Sequence, residues 1–143
     1  MKYVSLGKTG LQAAVVSCGG IPIQRSDAAN TAAVVDKLEE YGINFIDTAR
    51  GYTVSEEYLG AALEGRREKF ILATKSMARD YAGMARDVNI SLSNLRTGYI
   101  DLYQFHNLPI RDFEQVFGPD GAWRALDEAR ADGRVGHIGV TAH

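Results

Sequence analysis

Asp47, Tyr52, Lys75 and His106 are the residues whose types and positions could do chemistry. Asp47, Lys75 and His106 each directly follow a largely apolar segment, and Tyr52 lies in the polar stretch after Asp47. Taken singly, each has an ordinary structural explanation: a turn residue, a loop aromatic, a solvated strand end and a hydrogen-bonded histidine. If the apolar segments are neighbouring parallel strands, however, the three strand ends meet on one rim, where parallel α/β folds build active sites.

These side-chain types suit the protonation of a carbonyl oxygen. A tyrosine is a weak acid near neutrality, with an ordinary pKa of about 10, and a neighbouring ammonium group stabilises its phenolate. A carboxylate can hold the lysine, and a histidine can donate a hydrogen bond to a substrate oxygen. The sequence has one cysteine and no pattern of metal ligands, so we predict no metal site and expect a dissociable hydride donor.

Alternation along the strands puts further side chains on the same face. Because successive side chains of a strand point to opposite faces, Asp47 shares a face with Phe45, and His106 with Gln104. His137 and His143 show no such convergence with the rim, and we assign them no role.

Short apolar segments alternate with amphipathic segments along the chain, and this alternation must position the four residues. Residues 3–12 predict a hairpin, with its turn at residues 7–10. Ser26 or Asp27 is expected to cap the first helix and Ser55 the second, and Gly42 is expected to end the first. The predicted parallel strands are 13–18, 43–46, 70–74, 99–105 and 135–140, and the predicted helices are 26–41, 55–65, 84–95 and 122–131.

This order of elements implies parallel strands joined by right-handed crossovers. A doubly wound open sheet and a (β/α)8 barrel both fit. The strand ends recur at nearly even intervals, which favours the barrel, and the first strand lacks the glycine motif of a Rossmann site. A complete barrel has about 250 residues. We therefore predict one α/β domain over residues 1–143, a partial (β/α)8 TIM barrel with a hairpin, about five parallel strands and four helices.

Composition narrows the class of protein. The chain has 143 residues, of which 45% are hydrophobic and 24% charged, as in ordinary globular proteins. A net charge of -2 gives no electrostatic reason to expect binding to nucleic acid or to an anionic membrane. No apolar run is long enough to span a bilayer or to form a signal peptide. We therefore expect a cytoplasmic protein, in which the lone Cys18 is a buried small hydrophobe.

Several segments together resemble the aldo-keto reductase family. The signature-like stretch reads NFIDTARGY at residues 44–52 and SEEYLG at residues 55–60. The opening LGKTGL resembles the hairpin that closes the bottom of the family's barrel. Residues 70–75, 99–106 and 136–141 resemble its third, fourth and fifth strands, so the resemblance covers essentially the whole chain.

The resemblance implies a (β/α)8 barrel that reduces aldehydes and ketones, or oxidises the corresponding alcohols. It implies that Tyr52 is the general acid and base, that Lys75 tunes Tyr52, and that Asp47 supports Lys75. His106 would orient the carbonyl group of the substrate.

The resemblance also implies NADP(H) as the cofactor and a small carbonyl compound as the substrate. Gly20 and Ile21, which follow the first strand, would contact the cofactor or substrate, and Asp47 would also contact the cofactor.

The family's last three strands, with the loops that clamp the cofactor, have no counterpart in these 143 residues. We expect the inner face of the sheet and two strand edges to be exposed, and exposed edges favour association. The chain is therefore expected to be part of a longer reductase or an obligate oligomer joined through these edges. As an isolated monomer it is expected to have weak or no reductase activity.

Two other functions remain open from the sequence. Lys75 could act as the nucleophile of a Schiff-base lyase, because barrel aldolases also place a lysine at a strand end. Alternatively, the chain could be a non-catalytic half-barrel that acts through its exposed edges.

Overall fold

The chain forms an antiparallel hairpin followed by a parallel sheet whose strands alternate with helices. The computed structural model describes residues 1–142, so His143 lies outside the described residues. The strands are β1 Tyr3–Ser5, β2 Gln12–Ala14, β3 Cys18–Gly19, β4 Phe45–Asp47, β5 Ile71–Ser76, β6 Ile100–Phe105 and β7 Val135–Val140. The α-helices are α1 Ala28–Tyr41, α2 Ser55–Ala62, α3 Tyr81–Asn94, α4 Phe113–Phe117 and α5 Ala122–Ala131. Short 3-10 helices cover Ile21–Arg25, Arg67–Lys69 and Ile110–Asp112.

The order of the parallel strands confirms the predicted partial barrel. Strands β3 to β7 lie side by side in chain order, and each neighbouring pair is parallel. Strands β1 and β2 form the predicted antiparallel hairpin. The carboxyl ends of β4, β5 and β6 therefore lie next to one another on one rim.

The first parallel strand is shorter than predicted. Residues 12–14 pair with β1 in the hairpin instead of continuing the strand predicted at 13–18. The side chain of Asn44 occupies the other edge of β2, because its Oδ1 accepts from Ala14 N at 2.8 Å and its Nδ2 donates to Gln12 O at 2.9 Å. The chain then bends, and only Cys18 and Gly19 pair with β4.

Local capping chemistry accounts for the two ends of α1, but not for the start of α2. Asp27 caps α1 by accepting a hydrogen bond from Asn30 N at 2.7 Å, and Gly42 ends this helix in the left-handed conformation with φ 69°. Ser55 does not cap α2, because its hydroxyl donates instead to Gly20 O at 2.9 Å. Helix α4 was not predicted from the sequence, because five residues are too few to show a helical period.

The hydrophobic core lies between the helices and the outer face of the sheet. Ile46, Leu72 and Tyr103 point outward from β4, β5 and β6 and are fully buried. Burying a large apolar side chain contributes about 1.5–3 kcal/mol to stability. The helices complete this core with Val35, Leu59, Met84, Val88 and Leu126. The inner face carries apolar residues, such as Phe45 and Leu102, together with the polar residues of the rim.

A buried carboxylate joins α2 to the sheet and to α3. Glu56 is fully buried, and its Oε1 accepts from Thr74 Oγ1 and Ser91 Oγ, each at 2.7 Å. Its Oε2 accepts from Arg50 Nη1 at 2.7 Å and from Asn94 Nδ2 at 3.4 Å. A buried charge persists only where it is paired and fully hydrogen-bonded. Helix α2 can therefore pack in this position only if these donors are present.

We expect Glu56→Gln to lower the free energy of unfolding by about 3 kcal/mol, the order found for breaking a buried ion pair. The amide has one acceptor oxygen where the carboxylate has two, so the donors on one side lose their acceptor, and Arg50 loses its carboxylate partner. Glu57→Gln is the matched control, because Glu57 is exposed on the same helical turn. Urea unfolding followed by circular dichroism measures both, and equal small losses would contradict the assignment.

Helices α2 and α3 approach too closely at Gly60 for any side chain there. A Cβ atom at Gly60 would overlap the backbone oxygen of Asn94 and lie 2.7 Å from Leu95 C. Gly60→Ala is expected to lower the free energy of unfolding by about 2–3 kcal/mol, because overpacking against backbone outweighs the gain in helix propensity. Gly98→Ala is the control, since nothing lies within 4 Å of its Cβ position. Thermal unfolding measures both, and a neutral Gly60→Ala would refute the close approach.

Candidate active site

The four predicted residues line one cavity at the carboxyl ends of the strands. Asp47 ends β4, Lys75 lies one residue before the end of β5, and His106 directly follows β6. Tyr52 lies in the loop between β4 and α2. The cavity has a volume of about 430 Å³ and is also lined by Leu6, Phe45, Leu102, Gln104 and Thr141. The structure therefore brings together the residues that the strand ends indicated.

Two of the four residues, Lys75 and Asp47, form an ion pair. Lys75 Nζ lies 2.5 Å from Asp47 Oδ2 and donates a second hydrogen bond to Thr48 O at 2.8 Å. Lys75 is only 4% exposed, so the interpretation as a solvated strand end is wrong. Two oxygen acceptors suit an ammonium group better than the neutral amine that a Schiff-base nucleophile requires. The geometry therefore disfavours the lyase hypothesis.

The ring of Tyr52 contacts both a cation and an imidazole. Lys75 Nζ is 5.0 Å from the centre of this ring, within the range of a cation–π contact. The ring of His106 approaches edge-on, with 5.9 Å between the ring centres and an interplanar angle of 88°. Side chains from three consecutive β-α units therefore converge around the phenol.

Backbone and side-chain bonds hold the loop that carries Tyr52. Arg50 N donates to Lys75 O at 2.9 Å, which extends the pairing with β5 beyond the end of β4. The guanidinium of Arg50 is held 2.7 Å from Glu56. Tyr52 N then donates to Ala49 O at 3.0 Å and closes a tight turn. The position of the phenol is thereby tied to both the sheet and α2.

Sequence reasoning missed several residues that line the site. Gln104 Nε2 lies 3.4 Å from Asp47 Oδ1, the carboxylate oxygen that Lys75 does not use. The alternation that pairs Gln104 with His106 was the available signal. Leu6 reaches the cavity from the hairpin, and no local pattern indicates this contact.

Gly20 and Ile21, the two predicted contacts after the first strand, lie in different environments. Gly20 N donates to Asp47 O at 2.7 Å, and a Cβ atom there would lie 2.9 Å from Ser55 Oγ. Packing alone therefore favours a glycine at this position. Ile21 is 51% exposed and lines a shallow hollow with Arg25, outside the main cavity. Contact of these two residues with a cofactor stays a prediction.

Other kinds of site receive no support within residues 1–142. That part of the chain holds no group of three His, Cys, Asp or Glu side chains arranged for a metal ion. None of its helices is long and apolar enough to cross a membrane. Cys18 is half-buried, and burial raises the pKa of its thiol, which opposes a reactive thiolate.

Comparison with known proteins gives a consistent result. The model of the Aldo/keto reductase family matches residues 15–143. Aldo-keto reductase YhdN of Bacillus subtilis is 34% identical over 165 residues, which cover 99% of this chain and 47% of that protein. The uncharacterized oxidoreductase YqkF of the same organism is 30% identical over 156 residues, covering 99% and 49% of the two chains.

A solved structure agrees with these sequence matches. The holo form of aldo-keto reductase AKR11C1 from Bacillus halodurans superposes with a TM-score of 0.87 at 31% identity. The match covers 99% of this chain and 50% of that one. The chain thus spans about half the length of the curated relatives it matches. The family match over residues 15–143 and the shared fold show that the chain belongs to the aldo/keto reductase family.

Proposed function

We propose that this chain carries the proton-delivering half of an NADP(H)-dependent carbonyl reductase. The reaction is the reduction of a small aldehyde or ketone, or the reverse oxidation of an alcohol. The observation that carries the proposal is the contact of the Tyr52 ring with both Lys75 Nζ and the His106 ring in one cavity. Membership of the aldo/keto reductase family supports the same reaction class.

Each residue then has a separate role in the transfer of one proton. Tyr52 donates its phenolic proton to the carbonyl oxygen as that oxygen becomes an alkoxide. The ammonium group of Lys75 stabilises the phenolate that remains, and Asp47 holds that ammonium group in place. His106 donates a hydrogen bond to the same carbonyl oxygen and orients it. In the reverse direction, Tyr52 takes the proton from the alcohol.

The cavity fits the reacting end of a nicotinamide cofactor. Phe45 and Leu102 provide apolar walls for a flat ring, and Asp47 and Gln104 provide polar groups beside it. Its volume of about 430 Å³ lies within the usual range of ligand pockets. A bound nicotinamide supplies a hydride ion to the carbonyl carbon.

We assign Gly20, Ile21 and Asp47 to cofactor contacts. The 2.7 Å hydrogen bond from Gly20 N to Asp47 O holds Gly20 beside Asp47, which supports this assignment for these two residues. The preference for the 2′-phosphorylated cofactor and the cytoplasmic location are parts of the proposal that rest on family resemblance and composition. Parallel titrations with NADPH and NADH test the first, and cell fractionation tests the second.

Tyr52→Phe keeps the aromatic ring and removes the proton donor. We expect kcat for aldehyde reduction to fall by about 10²–10⁴-fold, the usual contribution of a general acid. The dissociation constant for NADPH should stay unchanged, because the ring still fills its place. NADPH oxidation with a panel of aldehydes and ketones measures the first quantity, and fluorescence titration measures the second.

The matched control for this experiment is Tyr41→Phe. Tyr41 is exposed at the end of α1, so its hydroxyl should not affect turnover. Full activity in Tyr52→Phe, or an equal loss in both variants, would refute the role of the phenol.

One observation favours a second candidate, an interaction module without catalysis. Within residues 1–142, β3 and β7 are the two outer strands of the parallel sheet. Such edges can pair with a second copy of the chain. Light scattering combined with cofactor titration separates the candidates. A stable oligomer that does not bind NADPH would support the module, whereas NADPH binding with turnover would support the reductase.

A further inference from the structure

Arg79 clamps the segment that follows β6. Its Nη2 donates to two successive backbone carbonyls, His106 O at 2.8 Å and Asn107 O at 2.9 Å. Its Nε donates to Asp112 Oδ2 at 2.9 Å, and the side chain is only 12% exposed. One guanidinium group therefore ties the backbone at His106 to the start of α4.

This clamp acts where the chain leaves the sheet. His106 N donates to Ser76 O at 2.8 Å, which continues the pairing with β5 one residue beyond β6. The next residue, Asn107, adopts the left-handed conformation with φ 48°, which is uncommon for a residue with a side chain. The carbonyl groups on both sides of this turn are the two that Arg79 holds. Their orientation fixes the backbone of His106, and with it the direction in which the imidazole leaves the backbone.

The backbone that carries Arg79 is itself held by hydrogen bonds. Arg79 O accepts a hydrogen bond from Ala122 N at 3.0 Å, and the next residue, Asp80, forms an isolated antiparallel bridge with Gly121. The loop after β5 is thus also joined to the start of α5.

We propose that Arg79 is a positioning residue that fixes the His106 imidazole against the Tyr52 ring. This inference rests on the proposed role of His106 in orienting a carbonyl group. A lysine cannot replace the guanidinium, because an ammonium point charge lacks the planar fork that serves two carbonyls and a carboxylate together. Loss of the fork frees the turn at Asn107, and the imidazole loses its fixed direction.

The chain provides a matched control in Arg67. Its Nη1 donates to Phe70 O at 2.5 Å, and its Nη2 donates to Tyr99 O at 2.9 Å and to Asp101 Oδ2 at 2.7 Å. Arg67 therefore also holds two carbonyls and one carboxylate, and its side chain is 20% exposed. It lies at the opposite ends of β5 and β6, away from the rim. Both substitutions should cost similar stability, but only one should alter the site.

The experiment compares Arg79→Lys with Arg67→Lys in the whole chain. The primary readout is the NMR cross-relaxation between the ring protons of Tyr52 and His106, whose rings are in edge contact. We expect this signal to fall at least twofold in Arg79→Lys and to persist in Arg67→Lys. Thermal unfolding should show similar losses in Tm. Turnover of a carbonyl substrate should fall about tenfold or more in Arg79→Lys alone, with unchanged NADPH affinity, since small misplacements at a reacting centre are costly.

The outcomes separate this inference from the proposed function. An unchanged ring contact in Arg79→Lys, or equal losses in both variants, would overturn the positioning role. If Arg79→Lys does not fold, Arg79→Gln provides the same comparison, because its amide keeps a donor but lacks the fork. Absence of the ring contact in the unmodified chain would also overturn the inference. Absence of turnover with the ring contact intact, in an assembly of the chain that binds NADPH, would instead contradict the proposed function.

Discussion

The carboxylate of Glu56, shielded completely from water, constrains the structure around the candidate site. Transfer of a charge into the protein interior costs several kcal/mol unless donors replace the lost water. The four donors come from the loop after β4, from β5 and from α3. The packing of α2 therefore depends on all of these elements being in place. Because one of the donors is Arg50, the loop that presents Tyr52 belongs to the same assembly.

The outer face of the sheet packs against the helices and stabilises the fold, whereas the inner face carries the residues of the candidate site. Residues that point outward, such as Ile46 and Tyr103, are buried against helices, and burial raises the pKa of the Tyr103 phenol so that it stays protonated. Their neighbours Asp47 and Gln104 point to the cavity. A strand can serve both purposes only because its side chains alternate. A shift in register by one residue would exchange the two sets and destroy the core and the site together.

The sequence predicted much of this arrangement because its strongest signals are local. Apolar segments and helical periods indicate the parallel sheet, and residues at strand ends indicate the rim. The short β3 could not be predicted, because its length is decided by Asn44, which takes the edge of β2 from a distant position in the chain. The role inferred for Arg79 was equally hidden. Two of its three partners are backbone carbonyls, which are the same in every residue and leave no trace in the sequence, and the third, Asp112, lies 33 residues away.

Pairing along the sheet is uneven, and this affects how the molecule opens. The registered pairs increase from two between β3 and β4 to five between β6 and β7. Short ladders open locally at lower free energy than long ones. Asp47 lies on β4, which pairs over few residues with β3, whereas His106 follows β6, which pairs over many residues with β7. The ion pair between Asp47 and Lys75 thus bridges two regions of different local stability, and fraying of the β3 edge would release the carboxylate before it disturbs the imidazole.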